Sequence, residues 1–380
     1  MSHPGIEVPE QVTGEADDLE SAELFDLLAA HDHERVLFSQ DEETGYRGII
    51  AIHDTALGPA LGGTRFWDYE SDREALIDVL RLSRGMTYKA AVAGLNLGGG
   101  KAVIIGDNRQ RDREMLMRTH GRAVDSLGGR YITAEDVGTS VEDMDFVHME
   151  TEHVCGIAGR SGDPSPVTAF GVYRGMKASA SVRYDSDELG DRAVAVQGLG
   201  HVGYHLCRHL AEEGSKLFVT DIRDEKVDRV VEELDAEAVP EEEIYDVDAD
   251  IFAPCALGAV LNEDTIPRLR VDVVAGAANN QLDREEHAEL LEQREILYAP
   301  DYVINAGGLI NVYSEVADWS LERSKRKAGE IYQTLLQVFG LADRLDVTTA
   351  EAADQLAKKR VDAVTSLHRS YRPGGMRIHV

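Results

Sequence analysis

Lysine is scarce in this chain. Nine lysines stand against thirty arginines in 380 residues, and 39 basic residues face 70 acidic ones. The formal net charge of −31 argues against nucleic acid or an anionic membrane as a partner, because both would be repelled. The acid excess runs along the chain rather than gathering in a tail. With the shortage of lysine it points to a salt-adapted cytoplasm, where a strongly charged, hydrated surface keeps proteins soluble. Cysteine is sparse too. Cys155, Cys207 and Cys255 are odd in number and far apart, so neither a disulfide framework nor a zinc pattern follows, and a reduced cytoplasmic setting fits. No run of about 18 apolar residues occurs, so no membrane span is expected. The acidic N-terminus lacks the apolar segment of a signal peptide. Residues 1–20 are expected to be a loose end.

What is present suggests two domains. A chain of 380 residues with 43% hydrophobic content exceeds one comfortable core. Apolar runs of strand length alternate with stretches of helical periodicity, the pattern of an α/β protein. A helix is expected over Ser21 to His33, with Ser21 as its cap, and a Gly- and Pro-rich loop over Thr55 to Phe66. A break falls at Arg160 to Gly171, where Pro164 and Pro166 interrupt the chain.

Two of the nine lysines, Lys89 and Lys101, flank Gly98, Gly99 and Gly100. Three glycines in a row cost backbone entropy and are kept where backbone bends oddly or approaches something closely. The apolar run from Ala102 to Ile105 places Lys101 at the mouth of a buried strand. Two neighbouring ammonium groups disfavour each other's charge, so one can serve as a base while the other holds a carboxylate. Asp136 follows a strand end, where α/β proteins place reactive groups; Glu135 and Glu142 fit that argument equally well. His148 and His153 have a spacing that suits no zinc pattern, so no metal is expected.

The second half carries Gly198-x-Gly200-x-x-Gly203 after the short apolar run Ala193 to Gln197. A helix opens there, and Asp221 ends the next strand. This is the full context of the dinucleotide fingerprint. The loop Gly198, Leu199, Gly200, His201, Val202, Gly203 would cradle a pyrophosphate at a helix N-terminus. Asp221 would accept from the ribose hydroxyls and favour NAD over NADP; Arg223 softens that preference. Asn279, Asn280 and Asn305 lie in amide-rich turns after strands, placed to orient a ligand or to cap helices.

Several motifs in order, "MTYKAAVAGLNLGGGKAVIIGD", "YITAEDVGTSVEDMD", "GLGHVG" with "VTD", "AGAANNQL" and "PDYVINAGGLIN", resemble the glutamate/leucine/phenylalanine/valine dehydrogenase family over nearly the full chain. The leucine-acting members are the nearest match. The resemblance implies two α/β domains separated by a cleft. Residues 1–160 would form a substrate-binding and oligomerisation domain, and 161–325 a Rossmann-type NAD-binding domain. Helices in 326–380 would return to the first domain. It implies a homo-oligomer and reversible oxidative deamination of a branched-chain amino acid. Lys89 would bind the substrate carboxylate with Gly62 and Asn280. Lys101 would activate water, and Asp136 would shuttle protons at the amine. Gly98, Gly99 and Met86 would line the amino acid site, and Asn305 would contact cofactor.

Glutamate-specific members carry lysine where Leu61 stands and serine where Val312 stands. With Ala134 and Leu309, these positions would form an aliphatic pocket here. A buried carboxylate without a partner costs several kcal/mol, which disfavours glutamate. Leu309 departs from the smaller valine typical of leucine enzymes, a change that could trim the pocket towards valine. The alternatives are a phenylalanine- or glutamate-preferring sibling, or a catalytically silent sensor of dinucleotide and amino acid.

Overall fold

The computed structural model describes residues 23–110, 112–159 and 162–370. The expected loose end at residues 1–20 and the proposed cap Ser21 lie outside the described residues. The chain divides into two compact units: residues up to Thr87 with Leu97–Val154, and Tyr88–Asn96 with the chain from Cys155 onward.

In the first unit, α1 (Leu24–Ala29) precedes the antiparallel pair β1 (Arg35–Asp41) and β2 (Tyr46–Asp54). Next come β3 (Ala60–Trp67), the long helix α2 (Asp72–Val92), β4 (Gly98–Ile105), α3 (Glu114–Asp125), β5 (Tyr131–Glu135) and α4 (Val141–His148). The sheet runs β1-β2-β4-β3-β5. β4 pairs antiparallel with β2, and β3 pairs parallel with both β4 and β5. The Gly- and Pro-rich stretch expected to be a loop thus supplies β3, a central strand. Its glycines serve close contact rather than a turn: a Cβ at Gly62 would lie 1.7 Å from the carbonyl oxygen of Gly100. The glycine triplet is likewise part of β4. A Cβ at Gly98 would meet the Asp54 carbonyl at 2.0 Å, and one at Gly99 the Thr87 nitrogen at 2.1 Å. Lys101 therefore stands within a strand rather than at its mouth. Ile49, Ala51 and Val103 pack beneath Ala75, Leu76, Val79 and Leu80 of α2 in a continuous core.

The second unit begins with α5 (Ser165–Tyr184). There follow β6 (Ala193–Gln197), α6 (His201–Glu213), β7 (Lys216–Thr220), α7 (Asp224–Leu234), β8 (Glu237–Ala238), β9 (Ile251–Pro254), β10 (Val273–Val274), α8 (His287–Gln293) and β11 (Leu297–Tyr298). The six strands are parallel in the order β11-β10-β9-β6-β7-β8. Counted from β6, this is 6-5-4-1-2-3, the doubly wound dinucleotide order. The strand order, not the strand direction, reverses between β6 and β9, where such sheets bind ligands at the carboxyl ends. Helices α9 (Asp301–Ile304), α10 (Gly307–Ala317), α11 (Leu321–Gly329), α12 (Ile331–Leu345) and α13 (Thr349–Ser370) complete the chain. The C-terminal helices group with the second unit, which also takes in Tyr88–Asn96 of the region expected to form the first domain. The reason is packing: α12 lies on α5, and α13 lies on α12. Arg360 of α13 donates to the carbonyls of Ala90 and Ala91 at the end of α2, at 3.3 and 2.9 Å. The same two carbonyls, in the last turn of α2, also accept from the N–H groups of Leu95 and Gly94.

Candidate active site

Lys101 stands opposite Ala51 of β2 and is 6% exposed. It is the single lysine of the first unit. Its ammonium forms an ion pair with Asp136, just beyond the end of β5. β3 lies between those two strands, and at this level it presents Gly62 and Gly63. A Cβ on Gly63 would sit 2.8 Å from the Cβ of Asp136. Only a strand bare of side chains lets the two charges meet across it.

Asp136 is held from several sides. Its N–H donates to Thr139 Oγ1 at 2.9 Å. Arg65 Nε lies 3.5 Å from Oδ2. Burial opposes the charged carboxylate, but Lys101 and Arg65 outweigh it and hold the carboxyl below its ordinary range. Beneath the site runs a buried hydrogen-bond chain. Tyr46 Oη meets His120 Nδ1 at 2.9 Å, His120 Nε2 meets Thr64 Oγ1 at 2.7 Å, and Thr64 Oγ1 meets Thr133 Oγ1 at 2.6 Å. Tyr131 donates to the carbonyl of Gly62 at 2.6 Å. Burial pushes His120 down to about 4, so this network is neutral.

Met86 and Lys89 lie on the last turns of α2; Lys89 is half-buried. Within the second unit its charge acts on Asp301, a buried carboxyl raised by desolvation and partly relieved by neighbouring backbone N–H groups and Lys89. Asp301 accepts from Gln281 N at 2.9 Å, which pins the turn carrying Asn280. Asn280 itself adopts φ +49°, left-handed backbone that asparagine tolerates.

The glycine turn after β6 behaves as its fingerprint requires. Gly198 has φ +97°, and a Cβ there would strike Ala256; a Cβ on Gly203 would lie 2.0 Å from the Gly198 carbonyl. Gly200 caps α6 and has nothing within 4 Å of a built Cβ. Its backbone is open to a ligand. A cavity of about 620 Å³ is lined by Leu199, Gly200, His201, Tyr204, Arg223 and Lys226, among others. Val202 sits in the first turn of α6. Asp221 accepts from Leu199 N at 2.7 Å and from Arg223 N at 3.1 Å, with Lys226 Nζ at 3.3 Å. Asn305 donates to the carbonyl of Ala277 and to Asn279 Oδ1, and its own Oδ1 is buried without a hydrogen-bond partner. The open cradle at Gly200 and this orphan acceptor fit a dinucleotide with a terminal carboxamide.

Leu61 and Ala134 lie on β3 and β5 of the first unit, and both are buried. Leu309 is buried on α10, one turn before the half-buried Val312. Among the described residues, no group of three or more His, Cys, Asp or Glu could hold a metal ion. Two functional candidates escaped the sequence reading, Arg65 and Asp301. Arg65 had a signal: once β3 and β5 pair with Thr64 opposite Glu135, the next step sets Arg65 beside Asp136.

Comparison with known proteins agrees with this geometry. Residues 33–153 match the family described as Glu/Leu/Phe/Val dehydrogenase, dimerisation domain, and residues 218–368 match Glutamate/Leucine/Phenylalanine/Valine dehydrogenase. The chain is 54% identical over 359 residues to a leucine dehydrogenase of Geobacillus stearothermophilus, covering 94% of this chain and 98% of that one. It is 49% identical over 339 residues to an L-tryptophan dehydrogenase of Nostoc punctiforme, covering 89% and 96%. The crystal structure of L-tryptophan dehydrogenase from Nostoc punctiforme superposes with a TM-score of 0.83 at 47% identity, over 90% of this chain and all of that one. A glutamate dehydrogenase of Thermus thermophilus shares the fold, with a TM-score of 0.71 at 24% identity over 90% and 91%. With the paired lysine and aspartate in one unit and the complete dinucleotide turn in the other, the chain belongs to the glutamate/leucine/phenylalanine/valine dehydrogenase family.

Proposed function

We propose that this protein catalyses the reversible, NAD-dependent oxidative deamination of branched-chain L-amino acids to 2-oxo acids and ammonia. The observation that carries the reading is the ion pair of Lys101 and Asp136: a cation and a carboxylate, both shielded from bulk water, meeting beside bare glycine backbone. NAD, when bound, supplies the hydride acceptor; the Gly198–Gly203 turn, Asp221 and Asn305 would hold it. Lys89, with Gly62 and Asn280, binds the substrate carboxylate, and Met86, Gly98 and Gly99 line the amino acid. Asp136 takes a proton from the substrate ammonium, which frees the nitrogen lone pair for iminium formation. Lys101, having first released its ammonium proton to solvent, takes a proton from water as the water oxygen adds to the iminium carbon. Asp136 returns its proton to the nitrogen, the C–N bond breaks as the carbonyl forms, and the departing ammonia takes the hydroxyl proton and leaves as ammonium.

Leu61 and Ala134 in the first unit and Leu309 and Val312 in the second are all apolar, which suits an aliphatic substrate side chain. The identity to leucine dehydrogenases, above that to L-tryptophan and phenylalanine dehydrogenases, supports the branched-chain preference. The dimerisation-domain match at residues 33–153 supports a homo-oligomer. The charge of −31 supports a cytoplasm rich in salt. Among the described residues no helix is long and apolar enough to cross a membrane. The test is NADH formation at high salt with leucine, isoleucine, valine, phenylalanine, tryptophan and glutamate. Branched-chain substrates should give the highest kcat/KM. Faster turnover of tryptophan or glutamate would refute the branched-chain preference, and no turnover of any of them would refute the enzyme.

A further inference from the structure

Asp136 touches two cations, and the reaction described above uses only one of them. The second is Arg65, on β3. Its Nε lies 3.5 Å from Asp136 Oδ2, and its NH1 lies 2.7 Å from Asp78 Oδ2. Asp78 is itself fixed on α2: Tyr69 donates to the same oxygen at 2.7 Å, and Arg81 approaches the other at 3.4 Å. Charges therefore alternate along a line: Lys101, Asp136, Arg65, Asp78. The Arg65 and Asp78 side chains are 22% and 12% exposed, so this line is shielded from solvent and its members matter to one another. Arg65 Nε is buried and makes no hydrogen bond. The carboxylate thus has two cationic seats, one on the water-activating lysine and one on an anchored guanidinium.

We propose that Arg65 is a positioning residue for Asp136: held by Asp78, it keeps the carboxylate ionised and shared, so that Asp136 is free to serve the substrate amine instead of closing onto Lys101. This rests on the reading of Asp136 as the proton carrier. The groups facing Asp136 are Lys101 from β4, Arg65 from β3 and the phenol of Tyr131 from β5, with Asp78 one step behind. Arg65 is the one cation among them that the chemistry does not otherwise use. A carboxylate that loses a cation is protonated at higher pH. Without Arg65, the acid limb of activity should move upward.

The experiment compares wild type, Arg65→Gln, Arg65→Lys, Asp78→Asn and Asp136→Asn by kcat and KM for leucine and NAD across pH, with unfolding temperature measured alongside. Arg65→Gln should lower kcat about tenfold or more, as small misplacements of catalytic groups do. Its KM for NAD should stay unchanged, and its acid limb should shift upward. Arg65→Lys should restore part of kcat, and Asp78→Asn should lie between. An Arg65→Gln enzyme with normal kcat and an unmoved acid limb overturns the proposal. So does an equal loss in Arg65→Gln and Arg65→Lys that follows unfolding temperature. Asp136→Asn separates the two ideas. If it is inactive while Arg65→Gln is normal, only the role of Arg65 falls; if it is fully active, the reading of Asp136 falls and takes Arg65 with it.

Discussion

Lys101 and Asp136 depend on each other for their burial, since an ionised group shielded from water needs a partner. Lys101→Ala should lower kcat by about 10²–10⁴-fold, the usual range for a lost proton-transfer group, while leaving NAD binding intact; stopped-flow turnover beside a cofactor titration checks both. Titration acts on other residues of the first unit as well. Burial lowers His33 to about 4 and His53 to about 3, as it lowers His120 to about 4. The unfolded chain binds these protons near 6.5, so between there and pH 4 it holds more protons than the folded chain. Stability must fall as pH drops through that window, by up to about 1.4 kcal/mol per pH unit for each histidine. Melting scans from pH 7.5 to 4.5 should show this. His120→Gln should flatten the slope. At this scale the sequence was partly legible. Rarity pointed to Lys101, but Asp136 could not be told from Glu135 and Glu142 without the family's motif. Arg65 stayed hidden because its meaning lies in the register between strands.

Glycines divide among the elements by what stands beside them. Gly200 faces open space with ordinary backbone, φ −65°, whereas Gly203 faces the Gly198 carbonyl at 2.0 Å. Gly200→Ala should therefore fold normally and weaken cofactor binding. Gly203→Ala should lower stability, because α6 must move off the turn. Differential scanning calorimetry with NAD titration separates the two. Strand and helix periods were readable wherever the pattern was regular, from Ala193 to Glu213 for example. They misled at residues 55–66, where glycine needed for close strand packing looks identical to glycine needed for a turn. Single contacts also lay beyond reach: nothing local to Arg360 says that it will donate to carbonyls about 270 positions earlier. Arg360→Ala should cost about 1.5–3 kcal/mol, the worth of hydrogen bonds to a charged group, measurable by urea unfolding.

A molecule with a formal charge of −31 repels itself. The unfolding temperature should therefore rise as potassium chloride is added, with the gain in the first additions coming from screening; a melting temperature unaffected by salt would contradict this. The doubly wound order of the second unit was implied by one glycine turn in its proper context, whereas the mixed sheet of the first unit had no such signature. The scarcity of lysine also leaves the two units very unequally supplied with amines. Every lysine except Lys101 falls in the second unit, and Lys216, Lys325, Lys358 and Lys359 are exposed. Amine-directed immobilisation would thus attach the enzyme through its nucleotide-binding unit or its N-terminus. Lys101, shielded in its ion pair, would escape amine-directed reagents, so such coupling should spare the reacting centre.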